Sequence, residues 1–152
     1  MVAYSFAPRF EVPIRQGWKT QTIRQGRKRH ARPGEMLQLF CGMRTQHCRR
    51  IVADVQCLYV MPLRIDFDAS GLIIAIQNDW ALVPDLEAFA ISDGFIGIDD
   101  MSVFWGRAHG QMNRFDGVLI VWATPMERPD LAPTPQPELP DFLRSQSNRE
   151  RA

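Results

Sequence analysis

Residues 17–24 contain the side chains of this sequence whose types and spacing could do chemistry, in the run Gly-x-Lys-Thr-x-Thr-Ile-Arg. The part from Thr20 to Arg24 has the composition of a strand. Alternate side chains of a strand share a face, so Thr20, Thr22 and Arg24 are expected to point the same way. Lys19 is three residues from Thr22, an odd spacing that a regular strand places on opposite faces. The two side chains can therefore meet only if Lys19 lies in a turn before the strand begins.

This combination of side chains is suited to amide hydrolysis. A threonine hydroxyl is a weak nucleophile near neutral pH and needs an adjacent base to take its proton. Lys19 can act as that base if burial or neighbouring cations lower its pKa toward neutrality, and Arg24 is such a cation. Arg24 could also hold a developing oxyanion or a phosphate. An edge strand with a solvated polar face would have the same spacing, so the residues alone leave both interpretations open.

A cluster of positive charge follows this segment. Residues 1–50 contain eleven Lys or Arg and two Asp or Glu, whereas residues 51–152 contain seven and fifteen, so the net charge of +1 hides two halves of opposite sign. A guanidinium matches a phosphate bidentately, so the cluster is expected to bind phosphate unless it is only a solvated surface loop. The expected phosphate-binding residues are Arg24, Arg27, Lys28, Arg29 and Arg32.

The run at residues 17–24 resembles the signature of the ASCH domain, a member of the PUA-like β-barrel superfamily. A short amphipathic helix precedes it and Pro33-Gly34-Glu35 follows the basic cluster, as in that family. The resemblance covers roughly residues 4–123 and is strongest in the first 60. It implies a small β-barrel and a role in RNA metabolism. One small bacterial branch of the family, which has this same run, hydrolyses N(4)-acetylcytidine.

That branch implies a set of catalytic residues for this chain. Its lysine corresponds to Lys19 and its nucleophilic threonine corresponds to Thr22. It also has a glutamate on a helix, for which the spacing to the following helix indicates Asp93, with Glu87 as the competing position. An acid at this place could accept a hydrogen bond from the exocyclic amine of a base, or pass a proton to the leaving amine.

Two functions are compatible with these residues. In the first, an ASCH domain binds RNA or a modified nucleoside through the basic cluster, with Thr20 and Thr22 lining the pocket. Trp18 would then stack on a base, or else pack the short helix against the barrel. In the second, an amidohydrolase removes the acyl group of an N(4)-acylated cytidine through Lys19, Thr22 and the helical acid. Catalysis then requires the Thr22 hydroxyl within hydrogen-bond reach of Lys19, about 2.6–3.2 Å and somewhat looser without substrate. A protein-interaction adaptor that uses the proline-rich C-terminal tail is a third alternative.

The elements that must position these residues are those of an α+β domain. Periodicity predicts a small barrel of about six strands flanked by three short helices, which the resemblance makes a PUA-like (ASCH) β-barrel. The helices are expected at residues 8–16, at 84–91, and from a cap at Asp99 to Gly106. The strands are expected at residues 20–24, 36–41, 48–60, 63–67, 72–76 and 118–123.

Length and composition limit the number of domains, the cellular compartment and the cofactors that can be expected. The 152 residues fit one domain, expected at 1–124, followed by a flexible proline-rich tail at 125–152. No apolar run approaches the roughly 20 residues of a membrane helix, and no signal-peptide pattern is present, so we expect a cytoplasmic protein with no membrane partner. Cys41, His47 and Cys48 do not supply the four ligands of a zinc site, so no metal or cofactor is expected.

Overall fold

The computed structural model describes residues 1–68, 71–76, 80–109 and 113–124. The tail expected at 125–152 lies outside the described residues. Within them the chain forms a mixed α+β domain, which confirms the α+β part of the predicted fold class. Its α-helices are α1 (Glu11–Gln16), α2 (Leu86–Ser92) and α3 (Ile98–His109), with a 3-10 turn at Pro8–Phe10 before α1. Its strands are β1 (Val2–Phe6), β2 (Gln21–Gln25), β3 (Met36–Cys41), β4 (Arg49–Arg50), β5 (Val55–Asp68), β6 (Gly71–Ile76), β7 (Ala81–Leu82) and β8 (Arg114–Trp122).

The 14-residue strand β5 organises the sheet. It pairs antiparallel with β3 at its start, with β6 at its end and with β8 along most of its length. A register shift between Cys57 and Tyr59 marks a bulge against β8, and bulges bend a strand locally. Leu63 and Ile65 on β5 are fully buried, so one face of this strand is a wall of the core.

The sheet branches at β5 and does not close. β1 lies parallel to β3 at one end, and β2 lies antiparallel to β8 at another. No backbone pair joins β1 to β2 within the described residues, so these pairings do not close the small barrel expected from the sequence. A side chain links the two strands instead, because Arg24 Nη2 on β2 donates to the carbonyl oxygen of Ser5 on β1 at 2.7 Å.

The strand β5 replaces part of one expected strand and the whole of another. We expected separate strands at 48–60 and 63–67, but the chain runs extended through Pro62 without a break. Met61 and Leu63 on either side of Pro62 are buried and pair with β8, which holds the chain extended although the proline has no N–H for the ladder. The described residues form eight strands rather than six, because β4 and β5 take the place of these two expected strands while β1 and the two-residue strand β7 are additional.

The bounds of α3 also differ from the expected ones. The helix begins at Ile98, so Asp99 lies in its first turn and is not its cap. It continues past Gly106 to His109. The buried side chain of Trp105 packs this helix against the core, and such packing offsets the cost of a glycine inside a helix, about 1 kcal/mol.

The described residues contain no helix that is long and apolar enough to cross a membrane. Their three cysteines are free, with Cys41 and Cys57 buried and Cys48 exposed. In the same ranges, no cluster of three or more His, Cys, Asp or Glu side chains could hold a metal ion.

Candidate functional site

A cavity of about 190 Å³ is enclosed by β1, β2, the C-terminal end of α2, and α3. Its aromatic lining consists of Phe6, Phe10, Phe95, Phe104 and Trp105. Its polar lining consists of Ser5, Lys19, Thr22, Arg24 and Asp93. An apolar, largely aromatic wall with a few polar groups is the usual make-up of a small-molecule site, so this cavity is the candidate functional site.

Lys19 reaches the cavity from the turn between α1 and β2, where the spacing to Thr22 required it to be. Gly17 ends α1 with a left-handed backbone (φ 85°), which glycine adopts without steric strain. The backbone N–H groups of Trp18 and Lys19 then both donate to the carbonyl oxygen of Pro13, at 3.2 and 3.1 Å. Because β2 begins only after this turn, the alternation of side chains along the strand does not determine which way the Lys19 side chain points.

The Lys19 side chain is buried, with 2% of the residue exposed. Its Nζ donates to the carbonyl oxygens of Gln21 (2.8 Å) and Asp93, and lies 3.7 Å from Asp93 Oδ1. The rings of Phe10 and Phe6 face the Nζ at 4.7 and 5.5 Å from their centroids. Burial lowers the pKa of Lys19 to about 8, while the Asp93 carboxylate acts in the opposite direction. A lysine with this pKa can exchange a proton near neutral pH.

Asp93 reaches the cavity from the C-terminal end of α2, where its backbone N–H donates to the carbonyl oxygen of Phe89 at 3.0 Å. Burial raises the pKa of its carboxyl to about 6, and the Lys19 charge partly offsets that rise. Between about pH 6 and 8 both groups are therefore charged, and each compensates for the lost hydration of the other. Asp93 Oδ1 is buried and has no hydrogen-bond partner in the described part of the chain.

The two candidate acids are in different environments. Glu87 is exposed on α2, and its Oε1 accepts a hydrogen bond from the backbone N–H of Ile98 at 3.2 Å. Asp93 lines the cavity and lies against the Lys19 ammonium, whereas Glu87 is not part of the lining. Asp93 is therefore the acid that can act together with Lys19.

Thr22 and Arg24 share the face of β2 that lines the cavity. Arg24 Nε donates to Thr22 Oγ1 at 3.2 Å, so a positive charge lies beside this hydroxyl. Burial lowers the pKa of Arg24, which nevertheless stays a cation because arginine deprotonates only far above neutral pH. Lys19 makes no hydrogen bond to Thr22 within the described residues, so the direct contact expected of a nucleophile and its base is absent from this arrangement.

Two expected site residues lie outside the cavity. Thr20 precedes β2, and its backbone N–H donates to the carbonyl oxygen of Ser92 at 2.9 Å. Because the strand begins after Thr20, the alternation that would place it beside Thr22 does not apply, and the expectation that it lines the pocket was wrong. Trp18 is 38% exposed, and its Nε1 donates to Gln16 Oε1 at 3.0 Å.

The basic residues that follow β2 are exposed and line no part of the cavity. Arg27 lies over the Tyr4 ring at 4.8 Å, and Arg24 contacts the same ring at 5.4 Å. Arg29 forms an ion pair with Glu35. Tyr4 thus contacts both the cavity arginine and the exposed cluster. We call the exposed cluster the basic loop; its members are Arg27, Lys28, Arg29 and Arg32.

Sequence reasoning did not find the aromatic side of the cavity. Phe95, Phe104 and Trp105 were not among the candidate site residues, although all three line the cavity and Trp105 is also buried. The Arg9 guanidinium lies 5.2, 5.1 and 5.6 Å from the ring centroids of Phe10, Phe95 and Phe104. They come from three separate segments, the 3-10 turn at Pro8–Phe10, the loop after α2 and helix α3, and no local spacing connects these segments in the sequence.

No protein-family model, no curated protein and no solved structure matches this chain. The resemblance to the ASCH domain therefore rests on residues 17–24 and the segments next to them. A function has to be inferred from the chemistry of the cavity and of the basic loop.

Gly94 follows Asp93, and its replacement tests how tightly the site is packed. Its φ is +95°, and a Cβ there would lie 2.6 Å from Lys19 Cδ and 2.9 Å from Phe10 Cδ1. We expect Gly94→Ala to lower the free energy of unfolding by about 1–3 kcal/mol, because backbone strain and overpacking both oppose folding. Urea denaturation measures this change.

Gly106→Ala is the matched control. Nothing lies within 4 Å of a Cβ at this position of α3, and its φ is not positive. This change should raise the free energy of unfolding by roughly 0.5–1 kcal/mol, because alanine favours the helix. Equal stability changes in the two variants would contradict the packing described around Lys19.

Proposed function

We propose that this protein is an amidohydrolase that removes the acyl group of an N(4)-acylated cytidine, with its active site in the cavity around Lys19. The observation that carries the proposal is the convergence of Lys19, Thr22 and Asp93 on one cavity, although Asp93 is 74 residues from Lys19 in the sequence. A base and an acid whose pKa values are displaced toward neutrality by burial are typical of catalytic sites.

The size and lining of the cavity support a substrate with a single flat ring. Its volume of about 190 Å³ is below the range of about 300–1,000 Å³ that drug-sized ligands occupy. Five aromatic side chains line it, and aromatic rings stack favourably on nucleobases. A pyrimidine with a short acyl group fits both properties.

The proposed reaction begins at Thr22 Oγ1, which attacks the acyl carbonyl carbon while its proton passes to a neutral Lys19 Nζ. Lys19 has to turn from its carbonyl acceptors toward Thr22 for this step. Arg24, whose Nε donates to Thr22 Oγ1, lies close enough to stabilise the negative charge that develops on the acyl carbonyl oxygen. The C–N bond then breaks and the proton moves from Lys19 to the departing amine. Water next attacks the acyl-threonine ester, and the same lysine carries its proton to Thr22 Oγ1 as the carboxylic acid is released.

Asp93 has two roles in this scheme. Its carboxylate lies beside Lys19 Nζ and raises the pKa of that group, so it stabilises the ammonium that forms when Thr22 gives up its proton. Its Oδ1 has no hydrogen-bond partner in the described residues and is available to the amide N–H of the substrate. A ligand donor at this oxygen would replace the hydration that the carboxylate lost on burial.

An ASCH-type, PUA-like fold whose sheet stays open between β1 and β2 is part of the proposal. It is supported by the run at residues 17–24, by a helix before that run, and by a basic cluster after it. The Arg24–Ser5 hydrogen bond ties β2 to β1 at the place where backbone pairing leaves the sheet open. This link holds the two strands that carry the cavity residues near each other.

Binding of RNA through the basic loop is a second candidate function. Lys28 and Arg32 are exposed and form no ion pair within the described residues, so their charges are free to meet phosphates. Arg27 and Arg24 contact the same Tyr4 ring, so the loop borders the cavity. A nucleotide whose base entered the cavity could therefore place its phosphates toward the loop.

Thr22→Ala tests the nucleophile directly. It should reduce kcat for N(4)-acetylcytidine on the order of 10³-fold or more, with little change in binding, because the lost hydroxyl acts in the chemical step. Thr20→Ala is the matched control, since Thr20 lies outside the cavity, and its kcat should stay close to that of the parent protein. Steady-state hydrolysis and calorimetric binding measure the two effects. Full activity of Thr22→Ala, or equal losses in both variants, would rule out Thr22 as the nucleophile.

The pH dependence of kcat/KM tests the base. Activity should rise with pH to a plateau with a midpoint near 8, because Lys19 accepts a proton only in its neutral form and its pKa is lowered from 10.5 to about 8. Asp93→Asn should move this midpoint to lower pH, because it removes the charge that raises the pKa of Lys19. A midpoint that stays in place in Asp93→Asn would contradict the pairing of these two groups.

The salt dependence of RNA binding tests the basic loop. Replacing Arg27, Lys28 and Arg29 by alanine should weaken binding and reduce the slope of log K against log salt by about 2, since each lost phosphate contact on a single strand removes about 0.7. Filter binding at several salt concentrations gives the slope. An unchanged slope in the loop variant, or the same reduction in the control, would exclude the loop as the contact. The control variant has alanine at three exposed arginines outside the loop: Arg15, Arg49 and Arg50.

A further inference from the structure

Trp105 carries a polar atom that the fold leaves without a partner. The residue is only 6% exposed and lines the cavity from α3. Its indole Nε1 is buried and makes no hydrogen bond to any described residue. Nearly all buried donors in folded proteins are paired, so this N–H calls for an acceptor that is not part of the described chain.

The position of the Trp105 ring is fixed by its neighbours. Phe115 meets it edge-on with 4.9 Å between ring centroids, and His109 stacks on it at 4.9 Å. Phe67 contacts it at 6.4 Å. These contacts are with the ring as a whole, so the same packing could be provided by an aromatic residue without a donor. Packing therefore explains the ring but not its N–H.

Asp93, which lines the same cavity, carries a second polar atom without a hydrogen bond, and this atom has the opposite character. Asp93 Oδ1 is a buried acceptor without a hydrogen bond, while Trp105 Nε1 is a buried donor without one. Asp93 lies with Lys19 against the rings of Phe6 and Phe10, whereas Trp105 belongs to a separate group of rings. A ligand that satisfies both atoms needs a donor at one end and an acceptor at the other.

An N(4)-acylated cytosine has this arrangement of groups. Its amide N–H is attached at ring position 4, and its carbonyl oxygen at position 2 is an acceptor on another edge of the same ring. With the amide N–H at Asp93 and the acyl group directed toward Thr22, which lines the same cavity, the ring carbonyl would extend away from the reacting bond. A pyrimidine without the 2-carbonyl could occupy the same space but would leave the indole N–H unpaired.

We propose that Trp105 determines substrate specificity by donating its indole N–H to the 2-carbonyl of the pyrimidine ring. This inference rests on the proposed amidohydrolase function. Trp105 has no part in bond breaking. A site built around such a donor rejects an analogue without the acceptor, because the buried donor is then left unpaired.

The test compares two substrates in two proteins. N(4)-acetylcytosine carries the 2-carbonyl, and N-(pyrimidin-4-yl)acetamide lacks it while keeping the ring and the amide. The ratio of their kcat/KM values should fall about tenfold from the parent protein to Trp105→Phe, since one hydrogen bond is lost for the first substrate only. The two compounds differ in intrinsic reactivity, but this difference cancels, because the test compares the kcat/KM ratio in one protein with the same ratio in the other. Equal losses for both substrates would overturn the inference.

Trp122→Phe is the matched control for the replacement of a buried tryptophan by phenylalanine. Trp122 is 2% exposed, packs edge-on against Phe6 and does not line the cavity. Its replacement should leave the substrate ratio unchanged even if the protein becomes less stable. A fall in the ratio equal to that of Trp105→Phe would point to general loosening and would overturn the assignment.

A spectroscopic measurement separates this inference from the proposed reaction. In Thr22→Ala labelled with ¹⁵N, the indole N–H resonance of Trp105, assigned by its absence in Trp105→Phe, should move downfield with N(4)-acetylcytosine but not with N-(pyrimidin-4-yl)acetamide. If this shift occurs while the parent protein hydrolyses neither compound, the reaction is wrong and the inference stands. If hydrolysis occurs without the shift, the reaction stands and the inference is wrong. Absence of both rejects both.

Discussion

The contact between Lys19 and Asp93 joins two distant parts of the chain inside the protein, and the site depends on it. Lys19 Nζ bonds to the backbone carbonyl of Asp93 and lies 3.7 Å from its carboxylate, so the start of β2 is tied to the end of α2. Both turns that deliver these residues use glycines with left-handed backbones, Gly17 and Gly94. Gly94 also leaves the space that the aliphatic part of Lys19 fills. The Lys19–Asp93 ion pair, the left-handed backbone at the two glycines and the packing of the lysine side chain are thus satisfied together.

This contact is better explained by chemistry than by stability. Removing two charges from water is costly, and a buried ion pair often stabilises a fold no more than apolar residues of similar volume would. Here burial raises the pKa of Asp93 and lowers that of Lys19, so the two values approach neutrality from opposite sides. The same desolvation that weakens the fold therefore supplies an acid and a base in the pH range where most enzymes work. In the proposed reaction Thr22, with the Arg24 charge beside it, is the nucleophile that acts with this pair.

The sequence allowed the local part of the site to be predicted, because that part follows from short-range geometry. Strand alternation placed Thr22 and Arg24 on one face, and a glycine ahead of the strand left Lys19 free to join them. The same alternation failed for Thr20, since the strand begins one residue later than expected. The open sheet and the aromatic wall were not predictable in this way. They depend on contacts between elements far apart in the chain, and the unpaired donor of Trp105 has no local signature at all.

Arg24 limits how the two candidate functions can be separated. Its Nε bonds to Thr22, its Nη2 bonds to the Ser5 carbonyl across the open side of the sheet, and its guanidinium lies against the rings of Phe6 and Tyr4. Replacing Arg24 would therefore remove three contacts at once: the hydrogen bond to the Thr22 hydroxyl, the link between β1 and β2, and the contact with the Tyr4 ring beside the basic loop. Weaker catalysis or weaker RNA binding in such a variant would have several physical causes. The two functions are separated by substitutions that remove only one of these contacts. Such substitutions lie inside the cavity for catalysis and on the exposed basic loop for RNA binding.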